Sequence, residues 1–247
     1  MTYKANIRLF IEDSLSGGCT VTLEKDQSHY LANVMRCKLG SHVSLFNGRD
    51  GEWVAEISDI QKRAVTLTLL SRQKEQLTEP DLWLVFAPIK KARLDFIAQK
   101  ATELGVSHLQ PVYTRRTIVE RVKTERLHAN AVEAAEQCER LTVPTIAEPE
   151  KLDIILKSWP VDRKIMFCDE TLSGEPAHTA LANTGSKNTN KPWAIIIGPE
   201  GGFDDVERKA IIEHSNTTVV ALGPRVLRAD TAAMAAISLW QSSIGDW

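Results

Sequence analysis

After residue 81 the chain alternates short apolar runs with stretches of helical period, and this rhythm constrains its fold more than any other feature. The runs are LWLVFAP (Leu82–Pro88), KIMFCD (Lys164–Asp169), AIIIG (Ala194–Gly198) and TTVVALG (Thr217–Gly223), with SHLQPVYT (Ser107–Thr114) as a further strand. In ARLDFIAQKATELG, apolar residues at 94, 97, 101 and 104 predict a helix, with Gly105 as its cap. Glu125 to Leu141 also reads as a helix, and helices fall between and after the later strands. Such alternation argues for an α/β fold with a mostly parallel sheet covered on both faces.

The preceding residues follow another pattern. NIRLFIE, CTVTLEK, HVSLFNG, EWVAEISDI and AVTLTLL are short runs with β-branched residues, and NGRDG (Asn47–Gly51) signals a hairpin. One short helix, about Ser28 to Cys37, interrupts them. Several short strands with tight turns predict a small barrel over residues 1–72. Polar Ser71–Asp81 reads as the linker, leaving 73–247 as the α/β domain, and Thr171–Lys191 as a short helix followed by a polar loop. No repeat of fixed period is visible.

With 247 residues, 43% hydrophobic and 25% charged, the chain can build a sizeable soluble core. Its net charge of −2 provides no global attraction to nucleic acid. Leu84–Arg126, however, holds nine Lys/Arg against four Asp/Glu, a local +5 that suits a polyanion. The cysteines at 19, 37, 138 and 168 form no C-x-x-C pair and have no histidine at zinc spacing, so they are expected to be reduced thiols packed in cores. The six histidines (29, 42, 108, 128, 178 and 214) show no metal spacing, and no metal is expected. No signal-type apolar region opens the chain, and LWLVFAPI is too short to span a bilayer, so a cytoplasmic protein without membrane contact is expected.

WAIIIGPEGGFDDVERKAII (Trp193–Ile212) joins a buried strand to a helix through Gly198-Pro199-Glu200-Gly201-Gly202, and Asp204 with Glu207 has capping-box spacing. Open α/β sheets bind ligands at this end of a strand. The next unit repeats the plan: strand VVALG, loop PRVLRAD, then a helix with Asp230 or Thr231 as N-cap. Neither loop is a phosphate loop, for the required lysine is missing and Glu200 would repel a polyphosphate. Neither has the spacing G-x-G-x-x-G. The pocket suits a ligand that is neutral or cationic near Glu200, and S-adenosylmethionine, with its sulfonium, fits. The bland alternative is that the glycines serve only tight turns.

IGPEGGF followed about twenty residues on by LGPRVLRADTA, together with KKARLDFIAQKATELGV and EAAEQCER, resembles the bacterial 16S ribosomal RNA uridine-N3 methyltransferase family of the SPOUT superfamily. The likeness runs over nearly the whole chain. Val226 and Asp230 stand where the family often carries Ile and Glu. The resemblance implies an N-terminal PUA-like barrel and a C-terminal SPOUT domain with a trefoil knot. It also implies S-adenosylmethionine as cofactor, a homodimer, and small-subunit ribosomal RNA, in the assembled 30S particle, as partner. Implied cofactor contacts are Gly198, Glu200, Gly201, Gly202, Leu222, Gly223, Val226, Leu227, Arg228 and Thr231.

Methylating uracil at nitrogen 3 requires loss of its proton and stabilisation of the ring anion. Arg228 and Glu200 are the catalytic candidates, Arg228 for the anion and Glu200 as base or cofactor-orienting group. Arg8, Arg36, Lys90, Lys91, Arg93, Arg115 and Arg116 are the candidate phosphate contacts. In AVEAAEQCER, Ala131, Ala134, Ala135 and Cys138 make a small-residue stripe opposite polar Glu133, Glu136, Gln137 and Arg140. The last helix has so little polar face that it should be covered all round. Two other functions remain open: a non-catalytic RNA-binding module, and methyl transfer to another RNA position such as a ribose 2′-oxygen.

Overall fold

The computed structural model describes residues 5–184 and 191–247, apart from the Lys91 side chain. It divides into one unit of residues 1–78 with 135–143, and a second of 79–134 with 144–247.

The first unit contains β1 (Arg8–Phe10), β2 (Thr20–Thr22), α1 (Lys25–His29), a π-helical turn Tyr30–Val34, β3 (His42–Phe46), β4 (Glu52–Ile60) and β5 (Val65–Lys74). Its sheet order is β1-β3-β4-β5-β2, with β1 parallel to β3 and the other pairs antiparallel. These are the five expected strands. The helix begins earlier than expected and ends at Val34, after which Arg36 takes left-handed backbone with φ 53°. β5 also runs into the polar stretch read as linker. Arg72 and Lys74 still pair with β4, because ladder hydrogen bonds come from the backbone and tolerate polar side chains. At the hairpin, Asn47 Oδ1 accepts from the Arg49 and Asp50 amides at 3.0 and 2.9 Å, the local bonding that makes asparagine a turn residue.

The second unit contains β6 (Leu82–Phe86), α2 (Lys91–Glu103), β7 (His108–Tyr113), α3 (Thr124–Gln137, whose residues from Ala135 on belong to the first unit), β8 (Thr145–Ile146), β9 (Glu150–Lys151), α4 (Leu152–Lys157) and β10 (Lys164–Cys168). It continues with β11 (Glu175–Pro176), α5 (Ala177–Asn183), β12 (Trp193–Ile197), α6 (Asp205–Ile212), β13 (Thr217–Ala221) and α7 (Ala229–Ser243). The sheet order is β11-β13-β10-β12-β6-β7-β8, all parallel, with β9 also on β7. Central β12 is buried at every residue. Trp193, Ile195 and Ile197 face a core shared with α2, α5 and α7, while Ala194 and Ile196 face one shared with α4 and α6. Both faces are covered, as the continuous apolar run requires. Gly105, at φ 85°, ends α2 as expected. Of the loop expected after α5, residues 185–190 lie outside the described residues. No helix among the described residues is long and apolar enough to cross a membrane.

Several local expectations change. Helix α3 stops at Gln137, and Glu139 at φ 62° turns the chain, so Arg140 lies beyond the helix. Ala131, Ala134 and Ala135 are buried, but Cys138 is exposed. Glu136, assigned to the polar stripe, is half-buried and accepts the Phe10 amide at 3.0 Å. Among the cysteines only Cys168 is buried; Cys19 is exposed and Cys37 half-buried. The N-cap of α7 is Arg228, whose carbonyl accepts from the Ala232 amide at 2.7 Å. Asp230 lies instead in the first turn, where a negative charge suits the helix dipole. Within one chain α7 is not covered all round: Ala233, Ala236, Ile237 and Trp240 are buried, while Ala232, Met234, Ala235 and Leu239 are half-exposed.

Residues 135–143 join the first unit through Arg8. Its side chain is 10% exposed, and its guanidinium donates to Glu52 Oε2 at 2.7 Å and to the carbonyls of Ala135, Glu136 and Arg140 at 2.7, 3.0 and 3.0 Å. It also lies 4.4 Å from the centre of the Phe46 ring. The phosphate contact expected of Arg8 is therefore corrected: its donors already satisfy orphan carbonyls and a buried carboxylate. Arg8→Ala should destabilise the protein by about 3 kcal/mol, since it leaves Glu52 buried with only Lys74, 3.7 Å away. Urea unfolding would measure this, and a loss under about 1 kcal/mol would place the interaction among ordinary surface pairs.

Candidate active site

Because β13, β10 and β12 are parallel neighbours, their carboxyl ends emerge side by side. The loops that leave them surround one cavity of about 440 Å³, a size that holds a cofactor-sized ligand. One wall is Gly198–Phe203, a second is Cys168–Leu172, and a third comes from Leu222 and Arg225–Leu227, with Ala229 and Ala232 of α7 behind it.

In the first wall the glycines allow close approaches. A Cβ on Gly198 would lie 2.7 Å from the Phe203 ring. Gly202, at φ 68°, has left-handed backbone, and a Cβ there would run into the Glu170 carboxylate. The capping box forms as expected: Glu207 N donates to Asp204 Oδ1 at 2.8 Å, and Asp204 N to Glu207 Oε2 at 3.3 Å.

The second wall is held by a buried carboxylate. The Asp169 side chain has no solvent exposure and accepts from Arg208 Nε at 3.1 Å and Nη2 at 2.6 Å. Thr171 adds its amide at 3.1 Å and hydroxyl at 2.8 Å, and Ser173 its hydroxyl at 2.8 Å. Burial alone would raise the Asp169 pKa, but the Arg208 guanidinium and the Thr171 and Ser173 donors outweigh it and hold the carboxyl well below its usual range. Beside it, Glu170 Oε1 accepts the Phe203 amide at 2.9 Å. Burial pushes the Cys168 thiol up, so this wall residue is a protonated, apolar neighbour.

Of the residues expected from sequence, Gly198, Glu200, Gly201, Gly202, Leu222, Val226 and Leu227 line the cavity. Gly223, Arg228 and Thr231 are exposed and outside its lining. Cys168–Leu172, Phe203, Arg208 and Arg225 were not foreseen; their only local sign was two carboxylates, Asp169 and Glu170, at the end of a buried strand.

The cations expected to meet phosphate are distributed differently. Arg116 lines the cavity and donates to the Gly201 carbonyl at 2.8 Å. Arg93 lies 3.7 Å from both Glu200 Oε1 and Asp230 Oδ2. Arg115 pairs with Asp204 at 2.6 Å. Lys90 and Arg36 are exposed, and the Lys91 side chain is outside the described residues. The local +5 is thus partly neutralised, since Arg126 also pairs with Asp95 and Lys100 with Glu103.

Residues 76–241 match the family described as RNA methyltransferase domain, and residues 23–70 match RNA methyltransferase PUA domain. The ribosomal RNA small subunit methyltransferase E of Rickettsia conorii is 34% identical over 94% of this chain and 93% of its own. The chain belongs to the small-subunit ribosomal RNA methyltransferase E family. The methyltransferase E of Synechocystis is 31% identical over 89% of this chain and 72% of its own. A methyltransferase E structure from Neisseria gonorrhoeae, bound to S-adenosylmethionine, has a TM-score of 0.85 at 27% identity, covering 98% of this chain and 99% of its own. A Legionella pneumophila methyltransferase solved with the same cofactor has a TM-score of 0.87 at 28% identity, with the same coverage. The mixed α/β architecture, a PUA-type N-terminal sheet and a parallel C-terminal sheet, is that of the methyltransferase E family.

Proposed function

We propose that the protein transfers a methyl group from S-adenosylmethionine to ring nitrogen 3 of a uridine in 16S ribosomal RNA, working in the cytoplasm as a homodimer on the assembled 30S particle. The observation that carries this reading is the cavity at the ends of β10, β12 and β13. Apolar Leu172, Ile197, Phe203, Leu222 and Leu227 offer surfaces for an adenine ring. Carboxylates at Glu170, Glu200 and Asp205 suit a cationic ligand, beside Arg116, Arg208 and Arg225, and no lysine among the described residues lines the cavity. Bound there, the cofactor supplies an electrophilic methyl group on its sulfonium.

The chain's own residues do the remaining work. The glycine loop brings backbone close to the ligand and orients it. Glu200, with Arg93 at 3.7 Å, stands at the rim to accept the uracil nitrogen-3 proton or to face the sulfonium. Arg228 has no ion-pair partner among the described residues and caps the helix that follows the third loop. From there its guanidinium stabilises the uracil ring anion. Exposed Lys90 and Arg36 remain available for phosphates, which position the RNA without reading its sequence. A second copy would cover the half-exposed apolar face of α7, and the family's trefoil knot would bring that helix against the cofactor loops.

The deciding experiment incubates the protein with methyl-labelled S-adenosylmethionine and unmethylated small subunits, then maps the label by mass spectrometry. Label on uridine nitrogen 3 is expected. Label on a ribose oxygen would keep the enzyme and change its target atom. No transfer by a folded dimer that still binds the particle would favour the non-catalytic RNA-binding module.

A further inference from the structure

We infer that Asp169 and Arg208 are positioning residues that pre-form the middle wall of the cofactor cavity, so that the ligand meets a finished surface. The inference rests on the S-adenosylmethionine reading above. The middle loop, DETLSG (Asp169–Gly174), has no glycine turn of the kind that shapes the first wall. Its shape comes instead from five donors converging on one carboxylate: two from Arg208, two from Thr171 and one from Ser173. An ionised carboxylate without solvent is tolerated only when paired and fully hydrogen-bonded, so this network admits one geometry.

The loop is also pinned on both flanks. Towards β12, Glu170 takes the Phe203 amide of the first wall. Towards β13, the Asp169 amide donates to the Val220 carbonyl at 3.1 Å. Gly174 approaches the same strand so closely that a Cβ would lie 2.7 Å from the Val220 carbonyl carbon. By contrast, residues 223–227 of the third wall make no such hydrogen bond among the described residues. The cavity therefore has two walls tied to their neighbours and a third with no such tie among the described residues. A pre-formed wall does not have to be ordered when ligand arrives, and the avoided ordering appears as affinity. Arg208, on α6, acts through Asp169 from 39 residues away.

The test measures S-adenosylmethionine binding by calorimetry and amide hydrogen exchange of the cofactor-free protein. It compares the unaltered chain with Arg208→Leu, Arg208→Lys and the milder Thr171→Val. In Arg208→Leu the amides of 170–173 should exchange faster and the cofactor Kd should rise about tenfold or more, with KM for the RNA particle unchanged. Arg208→Lys should fall between, because an ammonium cannot reproduce the two-pronged contact. If Arg208→Leu does not fold, Thr171→Val carries the same prediction at about threefold. A folded variant with unchanged exchange and a Kd within about twofold of the unaltered protein overturns the proposal. Failure of the unaltered chain to bind S-adenosylmethionine would instead sink the cofactor reading, while the exchange measurement still reports on the pinned loop.

Discussion

Gly202→Val should abolish useful cofactor binding, raising the S-adenosylmethionine Kd on the order of 100-fold, about 2.7 kcal/mol, the size expected when backbone strain of about 1–2 kcal/mol adds to the loss of a charge-assisted hydrogen bond of about 1.5–3 kcal/mol. Two effects combine at this residue. Its φ of 68° is strained for any L side chain, and the added carbon would strike the Glu170 carboxylate. Glu170 would have to leave the Phe203 amide, which breaks the link between the first and second walls. The neighbouring Gly201 makes a useful contrast. Its backbone is not left-handed, and a Cβ there would meet Arg116 side-chain carbons at an ordinary 3.6 Å. Gly201→Ala should therefore keep its Kd within about threefold. Calorimetry on both variants decides the matter; equal losses in the two would mean that bulk in the cavity, not the Gly202 geometry, controls binding.

Trp240→Ala should be the most destabilising single truncation in the second unit, at about 3–5 kcal/mol. Trp240 has no exposed surface and meets Trp193 edge to face, with ring centres 6.4 Å apart. Its indole N–H is buried with no hydrogen-bond partner among the described residues. Trp240→Phe should accordingly lose much less, under about 2 kcal/mol, because it removes an unsatisfied donor along with the lost volume. Guanidinium unfolding would compare the two. Similar losses would show that the ring's full volume, rather than the balance of volume and unsatisfied donor, sets the stability there.

Much of the fold was legible from residue order. The five N-terminal strands, the strands β6, β7, β10, β12 and β13, the Gly105 terminus and the Asp204–Glu207 capping box all follow from periodicity and turn chemistry. These are local properties, encoded within a few residues. Two of the three cavity walls were visible for the same reason, since glycine turns after buried strands announce themselves.

What the sequence by itself determined, then, is which segments become strands and helices and where two ligand loops must lie. Only the tertiary structure decided which charges are free. Arg8 reads as a surface cation in a short strand, yet it pairs with Glu52, 44 residues away, and with the carbonyls beyond position 134. Asp169 and Arg208 lie in separate elements, and nothing near either one announces the other. Arg116, counted with the phosphate contacts, turned out to brace the glycine loop. The physical reason is that an ion pair or buried hydrogen bond depends on distance and desolvation in the folded chain. Sheet order sets those distances: placing β10 between β12 and β13 made the loop after Cys168 the middle wall of the cavity.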